Sequence, residues 1–239
     1  MALPRFYVKT LGETNMVLDE DTSKHITGVL RMKAGEALLL TDGKGTKAHA
    51  LITDDHRKRC TVTINTTEKE PVKSPKVCIA ISLLKNAARF EWFLEKATEI
   101  GVSEIIPLLC ERTEKEAFRH DRMQAILISA MLQSQQCWLP NLQEPTPFEN
   151  IITTDYAAKF IAHCLPQQKE TLHGLLKKFD GNRIILIGPE GDFTEAEISQ
   201  ALAKNFLPVT LGNTRLRTET AGMVAAVYLT PALSKEEGA

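Results

Sequence analysis

The sequence predicts an α/β protein in two parts. Residues 73–239 carry a mainly parallel sheet with helices on both faces, and a small β-rich domain, residues 1–72, precedes them. Three observations support this. After residue 76, apolar runs of strand length alternate with segments of helical period, the pattern of a parallel α/β sheet. Before residue 70, short candidate strands are separated by turn signals, the pattern of a small barrel or sandwich. Between the two, Glu70-Pro71-Val72-Lys73-Ser74-Pro75 sets two prolines among polar residues, as a linker does.

In the first part the strands are expected at Arg5–Val8, Glu36–Thr41, Ala48–Ile52 and Cys60–Asn65. Ala34-Gly35 and Asp42-Gly43-Lys44-Gly45 supply turns, and His25–Arg31 has room for a helical turn or two. In the second part, Val77–Leu84 reads as a buried strand. Asn86–Ile100 places Phe90, Phe93, Leu94, Ala97 and Ile100 on one helix face, with Gly101 set to end it. Glu104–Cys110 is a strand whose Pro107 points to an edge or a bulge. His120–Trp138 is helical, with Met123, Ile126, Leu127, Ala130, Met131 and Ser134 on one stripe. The three prolines of Leu139–Phe148 make a connection, Lys159–Cys164 a strand and Leu172–Phe179 a short helix.

Composition narrows the class. The 43% hydrophobic and 25% charged content is that of an ordinary globular chain. No apolar run nears the roughly 18 residues of a membrane helix. MALPRFYVKT lacks a signal-peptide core, so the expected location is the cytoplasm and no membrane is involved. Five cysteines, scattered and without a C-x-x-C pair, fit reduced thiols; Cys78, Cys110 and Cys164 lie in apolar runs, where core packing is expected. The six histidines are equally dispersed, so no metal site is expected. A net charge of −1 excludes nucleic-acid binding through bulk charge alone. Residues 1–74 hold 12 Lys and Arg against 10 Asp and Glu, and the remainder 17 against 20. Arg31, Lys33, Lys44, Lys47 and His56-Arg57-Lys58-Arg59 are able to form a basic face, or simply a solvated one.

The chemistry gathers in Arg183–Leu229. Ile184–Ile187 is a strand that stops at Gly188-Pro189-Glu190-Gly191-Asp192-Phe193, and Thr194-x-x-Glu197 then marks a helix start. A second apolar run ends at Leu211-Gly212 and leads through Asn213-Thr214-Arg215-Leu216-Arg217-Thr218-Glu219-Thr220-Ala221-Gly222 into an apolar helix. In open α/β sheets, ligands bind outside the carboxyl ends of strands. Glu190, Asp192 and Glu195 would repel a phosphate from the first helix, and neither dinucleotide nor P-loop glycine spacing is present. Such carboxylates suit ribose hydroxyls or a cationic ligand, or they simply cap the helix, which is worth about 0.5–2 kcal/mol. In the second loop Arg215 and Arg217 suit phosphate or carbonyl oxygens, or a salt bridge with Glu219. Gly212 lets a ligand approach the backbone, and Gly222 lets another element pack close.

These residues resemble those of the ribosomal RNA small subunit methyltransferase E family, within the SPOUT class of RNA methyltransferases. The resemblance is carried by Ile187-Gly188-Pro189-Glu190-Gly191, Glu197-Ile198, Leu211-Gly212 and Leu216-Arg217-Thr218-Glu219-Thr220. It extends to Val29-Leu30-Arg31, Gly35 and Asp42-Gly43-x-Gly45, and to Lys96–Val102, Pro107, Gln133-Ser134 and Pro140. Asp192 departs from it where a second glycine is usual, and Gln136 where an arginine is usual.

The resemblance implies an N-terminal PUA-like β-barrel, a C-terminal trefoil knot and a homodimer touching through the last helix and the 120–138 helix. It implies S-adenosyl-L-methionine as cofactor and, as substrate, N3 of a uridine in 16S rRNA of the small ribosomal subunit. On its motifs, the cofactor residues are His163, Ile187, Gly188, Glu190, Gly191, Leu211, Gly212, Leu216 and Thr218. The catalytic ones are Arg217 with Glu219 or Glu190, and the RNA-binding ones Arg5, Arg31, Lys33, Lys44 and Arg215. A guanidinium stays protonated in proteins, so the proton acceptor is expected among the carboxylates. A nicotinamide-dependent oxidoreductase would need a glycine fingerprint that is missing. A non-catalytic RNA-binding factor would not need the Leu216–Thr220 loop.

Overall fold

Strands buried on both faces need apolar residues at every position, and Val77–Ser82 is buried throughout. It forms β6 of the computed structural model, which describes residues 3–12, 14–114 and 117–231. The chain divides into two units. One comprises the residues up to Val72 together with Met131–Leu139, the other Lys73–Ala130 together with the residues from Pro140 onward.

The first unit holds β1 (Arg5–Tyr7), β2 (Asn15–Val17), α1 (Glu20–Lys24), β3 (Ala37–Thr41), β4 (Thr46–Asp54) and β5 (Thr61–Lys69). Its sheet runs β1-β3-β4-β5-β2, parallel between β1 and β3 and antiparallel elsewhere. Alternation along β4 buries Ala48, Ala50 and Ile52 against Phe6, Ile26, Leu38, Leu40 and Val62. Two register irregularities in β4, at His49/Ala50 and Ile52/Asp54, bend the strand. The helical turn expected from His25 starts earlier, because Asp19 caps Thr22 at 2.8 Å, and it continues as a π-type turn over His25–Val29.

The second unit contains β6, α2 (Ala87–Ile100), β7 (Glu104–Leu109), α3 (His120–Gln133), β8 (Asn141–Leu142), β9 (Thr146–Pro147) and α4 (Phe148–Ile151). It continues with β10 (Ala158–Ala162), β11 (Glu170–Thr171), α5 (Leu172–Leu176), β12 (Arg183–Ile187), α6 (Glu195–Ala203), β13 (Leu207–Thr210) and α7 (Thr218–Leu229). The last three residues of α3 fall in the first unit. The sheet order is β11-β13-β10-β12-β6-β7-β8, with β9 also on β7, and every pairing is parallel. Cys78, Ala80, Ile184 and Leu186 pack on one face with Phe148 of α4 and Ile198 of α6. On the other face α7 lies over β6 and β12, and α2 and α5 lie against α7.

Three expectations are refined. Pro107 is not on a terminal strand: β7 pairs with β6 along its length, but its far side meets only the two-residue β8 and β9. Ile105 accepts from Gln143 on that far side, so the alternate residue Pro107 turns its missing N–H to the gap between the two short strands. The 120–138 helix stops at Gln133, since Gln135 adopts φ 58°. The Leu172–Phe179 helix stops at Leu176.

Candidate active site

β13, β10 and β12 lie side by side, with Ala162 paired to Ile187 on one flank and to Val209 on the other. The loops leaving Ala162, Ile187 and Thr210 therefore emerge in one row at the carboxyl edge of the sheet. Two adjoining cavities of about 460 and 440 Å³ open there, with Ala162, Cys164, Arg215, Leu216 and Ala221 in the walls of both.

The loop after β12 is built by close approach and capping. A Cβ on Gly188 would sit 3.0 Å from the Phe193 ring and 3.2 Å from its backbone nitrogen. Thr194 and Glu197 form the expected capping box. The other Glu197 oxygen accepts from Glu111 N at 2.9 Å, and Arg112 donates to the Gly191 carbonyl at 2.8 Å, so the segment after β7 braces this loop. Asp192, where the resembled pattern has glycine, takes φ 65°, a left-handed conformation in which Asp is tolerated better than most residues. Its carboxylate accepts from Cys164 N at 2.7 Å and from Phe193 N at 2.9 Å, tying the loop after β10 to the loop after β12. Asp192→Ala is expected to destabilise the protein by about 2–4 kcal/mol, and Asp192→Gly by about 1 kcal/mol less, because glycine removes only the hydrogen bonds. Urea unfolding of both variants is the check.

In the loop after β10, His163 is buried. Its Nε2 is 2.9 Å from Gln167 Nε2, and its Nδ1 has no partner among the described residues. Burial, and then the Lys169 charge, lower its pKa below the ordinary imidazole value, so the ring is neutral at neutral pH. Lys169 donates from Nζ to the His163 carbonyl, and burial lowers its pKa. Cys164 corrects an expectation: it is exposed and lines both cavities, while Cys78 and Cys110 are core residues.

The loop after β13 turns at Gly212, whose φ of 153° disfavours any side chain and whose missing Cβ would face open space. Arg217 is the N-cap residue of α7 in an extended conformation. Arg215 and Arg217 are exposed, whereas Thr218 and Glu219 are buried. The ion partner of Glu219 is neither of these arginines but Arg89 in the first turn of α2, with Nε 3.7 Å from Oε1.

Most of the residues singled out in the sequence converge here. His163, Leu211, Gly212 and Leu216 line the first cavity. Ile187, Gly188, Glu190, Leu216, Arg217 and Thr218 line the second, and Arg215 lines both. Gly191 lies outside both walls, under Arg112, and Glu219 stands behind the wall of the second. Arg5, Arg31, Lys33 and Lys44 belong to the first unit. There, Arg5 donates to the Gln135 and Gln136 carbonyls, and Lys33 pairs with Asp55 at 3.2 Å. Arg31 is exposed at φ 57° and Lys44 is exposed on the Asp42–Gly45 turn. Lys47 and Lys58 pair with Glu68 and Glu20, so the anticipated basic face is partly neutralised.

Sequence reading does not single out Arg89, Arg112 or Lys169, and it places Cys164, at the strand end that the resemblance maps to the cofactor, in the core. Arg89 is marked only by its contact with Glu219 at the start of α7. Among the described residues no His, Cys, Asp and Glu group is able to hold a metal, and no helix is long and apolar enough to cross a membrane.

Residues 71–230 match the RNA methyltransferase domain family, and residues 18–65 the RNA methyltransferase PUA domain family. The fold is thus that of a PUA-linked RNA methyltransferase domain. The chain is 30% identical over 223 residues to ribosomal RNA small subunit methyltransferase E of Synechocystis sp., covering 91% of this chain and 73% of that one. It is similar to the crystal structure of a probable rRNA-methyltransferase from Porphyromonas gingivalis, at 38% identity and a TM-score of 0.88, over 97% of this chain and 98% of that one. It is also similar to the Neisseria gonorrhoeae ribosomal RNA small subunit methyltransferase E bound to S-adenosyl methionine, at 29% identity and a TM-score of 0.86, with the same coverage. The chain belongs to the ribosomal RNA small subunit methyltransferase E family.

Proposed function

We propose that this protein uses S-adenosyl-L-methionine to methylate N3 of a uridine in 16S rRNA of the small ribosomal subunit. The observation that carries the reading is the row of three parallel strand ends whose loops enclose two adjoining cavities, one able to take a cofactor and one a base. The residues fit a cationic, ribose-bearing ligand. The Gly212 backbone is open to approach, His163 Nδ1 is a buried polar atom without a described partner, and Glu190 and Asp192 add negative charge near the strand ends. His163, Leu211, Gly212 and Leu216 hold this ligand from the first cavity, and Ile187, Gly188, Gly191 and Thr218 shape the loops beside it. When bound, the cofactor supplies an electrophilic methyl group on a sulfonium and departs as the neutral thioether.

The protein's part is positioning and charge. The uracil N3 holds a proton at neutral pH, and that proton must leave as the N3–methyl bond forms. Arg217, exposed on the cavity wall, binds the pyrimidine oxygens on which negative charge then develops. Of the two carboxylates anticipated as proton acceptor, Glu190 lines this cavity and Glu219 does not, so Glu190 takes the proton, directly or through water. Arg31, Lys33 and Lys44 of the first unit, and Arg215 at the cavities, contact RNA phosphates; Arg5 holds its own unit together.

A trefoil knot and a homodimer belong to the same proposal, as does action in the cytoplasm. Two features support the knot: β13 lies on one flank of β10 and β12 on the other, and the chain then runs back as α7 over β12 and β6. Light scattering that finds only monomer removes the dimer. The test of the reaction incubates the protein with labelled cofactor and small subunits lacking the modification, then identifies the product nucleoside by mass spectrometry. Label on uridine N3 is expected; label on another atom overturns the substrate assignment.

A further inference from the structure

The pair formed by Arg89 and Glu219 has no part in the chemistry just described, yet it borders the same cavity. Glu219 is the buried partner, its side chain 10% exposed against 38% for Arg89. The carboxylate therefore acts from behind the wall, while the guanidinium reaches the surface of the second cavity. The contact engages Nε of Arg89, and among the described residues the two terminal nitrogens have no hydrogen-bond partner. These nitrogens are the fork that matches the oxygens of a phosphate. Glu219 Oε2 is buried and has no partner among the described residues, so the one ion pair this carboxylate shows there is with Arg89.

Two further features set the ligand class. Arg89 stands in the first turn of a 14-residue helix with no acidic residue in that turn, so the helix N-terminus adds to its positive potential. Arg215 and Arg217 line the same cavity together with Glu190 and Asp192; Asp192 is engaged by Cys164 N and Phe193 N, so three guanidinium groups face one carboxylate not held in this way. Arg89 is absent from the wall of the first cavity, where His163, Leu211 and Gly212 stand.

We infer that Arg89, tethered by Glu219, binds a backbone phosphate of the RNA beside the base being methylated, with Glu219 as its positioning residue. The inference rests on the methyltransferase reading above. It is tested with the full-length protein and small subunits lacking the modification, by measuring kcat/KM at several salt concentrations and, separately, cofactor affinity by calorimetry. Arg89→Ala raises KM for the subunits and lowers the steepness of the salt dependence by roughly 0.7–0.9 in log–log slope, the loss of one phosphate contact. Its cofactor affinity is unchanged. Arg89→Lys keeps the slope with an intermediate KM, and Glu219→Gln raises KM without changing the slope. If Arg89→Ala does not fold, Arg89→Gln is judged by the same criteria. An unchanged KM and slope in the folded variant overturns the inference, as does a loss of cofactor affinity that accounts for the lost turnover. Failure of the unaltered protein to methylate the subunits removes the methyltransferase reading itself, and this inference with it.

Discussion

Arg217→Ala is expected to slow methyl transfer by about 10²–10³-fold, the effect of removing one donor from a site of developing negative charge, while cofactor binding survives. Arg217 caps α7 through its backbone alone, with no side-chain cap hydrogen bond, so truncation leaves the helix start intact. Its guanidinium is exposed on the wall of the second cavity, placed to meet oxygens that become more negative as the N3 proton leaves. The charge is not its whole contribution: a guanidinium presents two parallel donors where an ammonium is a point. Arg217→Lys is therefore expected to recover only part of the loss. Single-turnover rates at saturating cofactor measure the step directly. Near-normal turnover in a folded Arg217→Ala protein would remove Arg217 from the mechanism.

Gly222→Val is expected to destabilise the second unit by about 3 kcal/mol, near the upper end for overpacking a filled core. A Cβ at this position would lie 2.7 Å from the Phe93 ring and 2.8 Å from Ile81 Cδ1. Phe93 and Ile81 are fully buried, so neither has space to retreat. α7 packs here against both α2 and β6, and moving it outward would shift the Arg217–Glu219 turn away from Arg89. Gly222→Ala introduces the same Cβ but regains up to about 1 kcal/mol of helix propensity, so its cost is smaller. In thermal unfolding the valine variant is expected to melt roughly 6–12 °C lower, at about 2–4 °C per kcal/mol for a chain of this size. An unchanged melting temperature would mean that α7 does not pack on α2 and β6 as closely as 2.7 Å implies.

Much of this protein was legible from one dimension because its signals are local. Val77–Ile81 of β6 and Ile184–Ile187 of β12 are unbroken apolar runs, which a strand needs only when both faces are covered, and that alone indicates helices above and below. Thr194 and Glu197 lie three residues apart and satisfy each other's backbone, so their cap was readable without any neighbour. The glycines read from the loop pattern had physical reasons that the structure then supplied: Phe193 pressed on Gly188, a φ of 153° at Gly212, and Phe93 and Ile81 against Gly222. The end of α3 is not legible because its stripe runs up to Ser134 without any mark of the left-handed turn at Gln135; periodicity reports which face is apolar, not where the backbone leaves the helix.

By itself the sequence determined the parallel α/β class, the two glycine-bearing loops as the place of chemistry, and the acidic character that turns phosphate away from the first of them. These depend on spacing along the chain and on side-chain type. Only the tertiary structure decided which carboxylate lines the cavity, that Glu219 pairs with Arg89 and not with its neighbours Arg215 and Arg217, and that Cys164 is exposed. It also decided that Asp192 joins two loops. Residues 89 and 219 are brought within 3.7 Å because α2 and α7 both start at the carboxyl edge of the sheet and pack against each other. That proximity is a property of strand order, which no window of sequence contains.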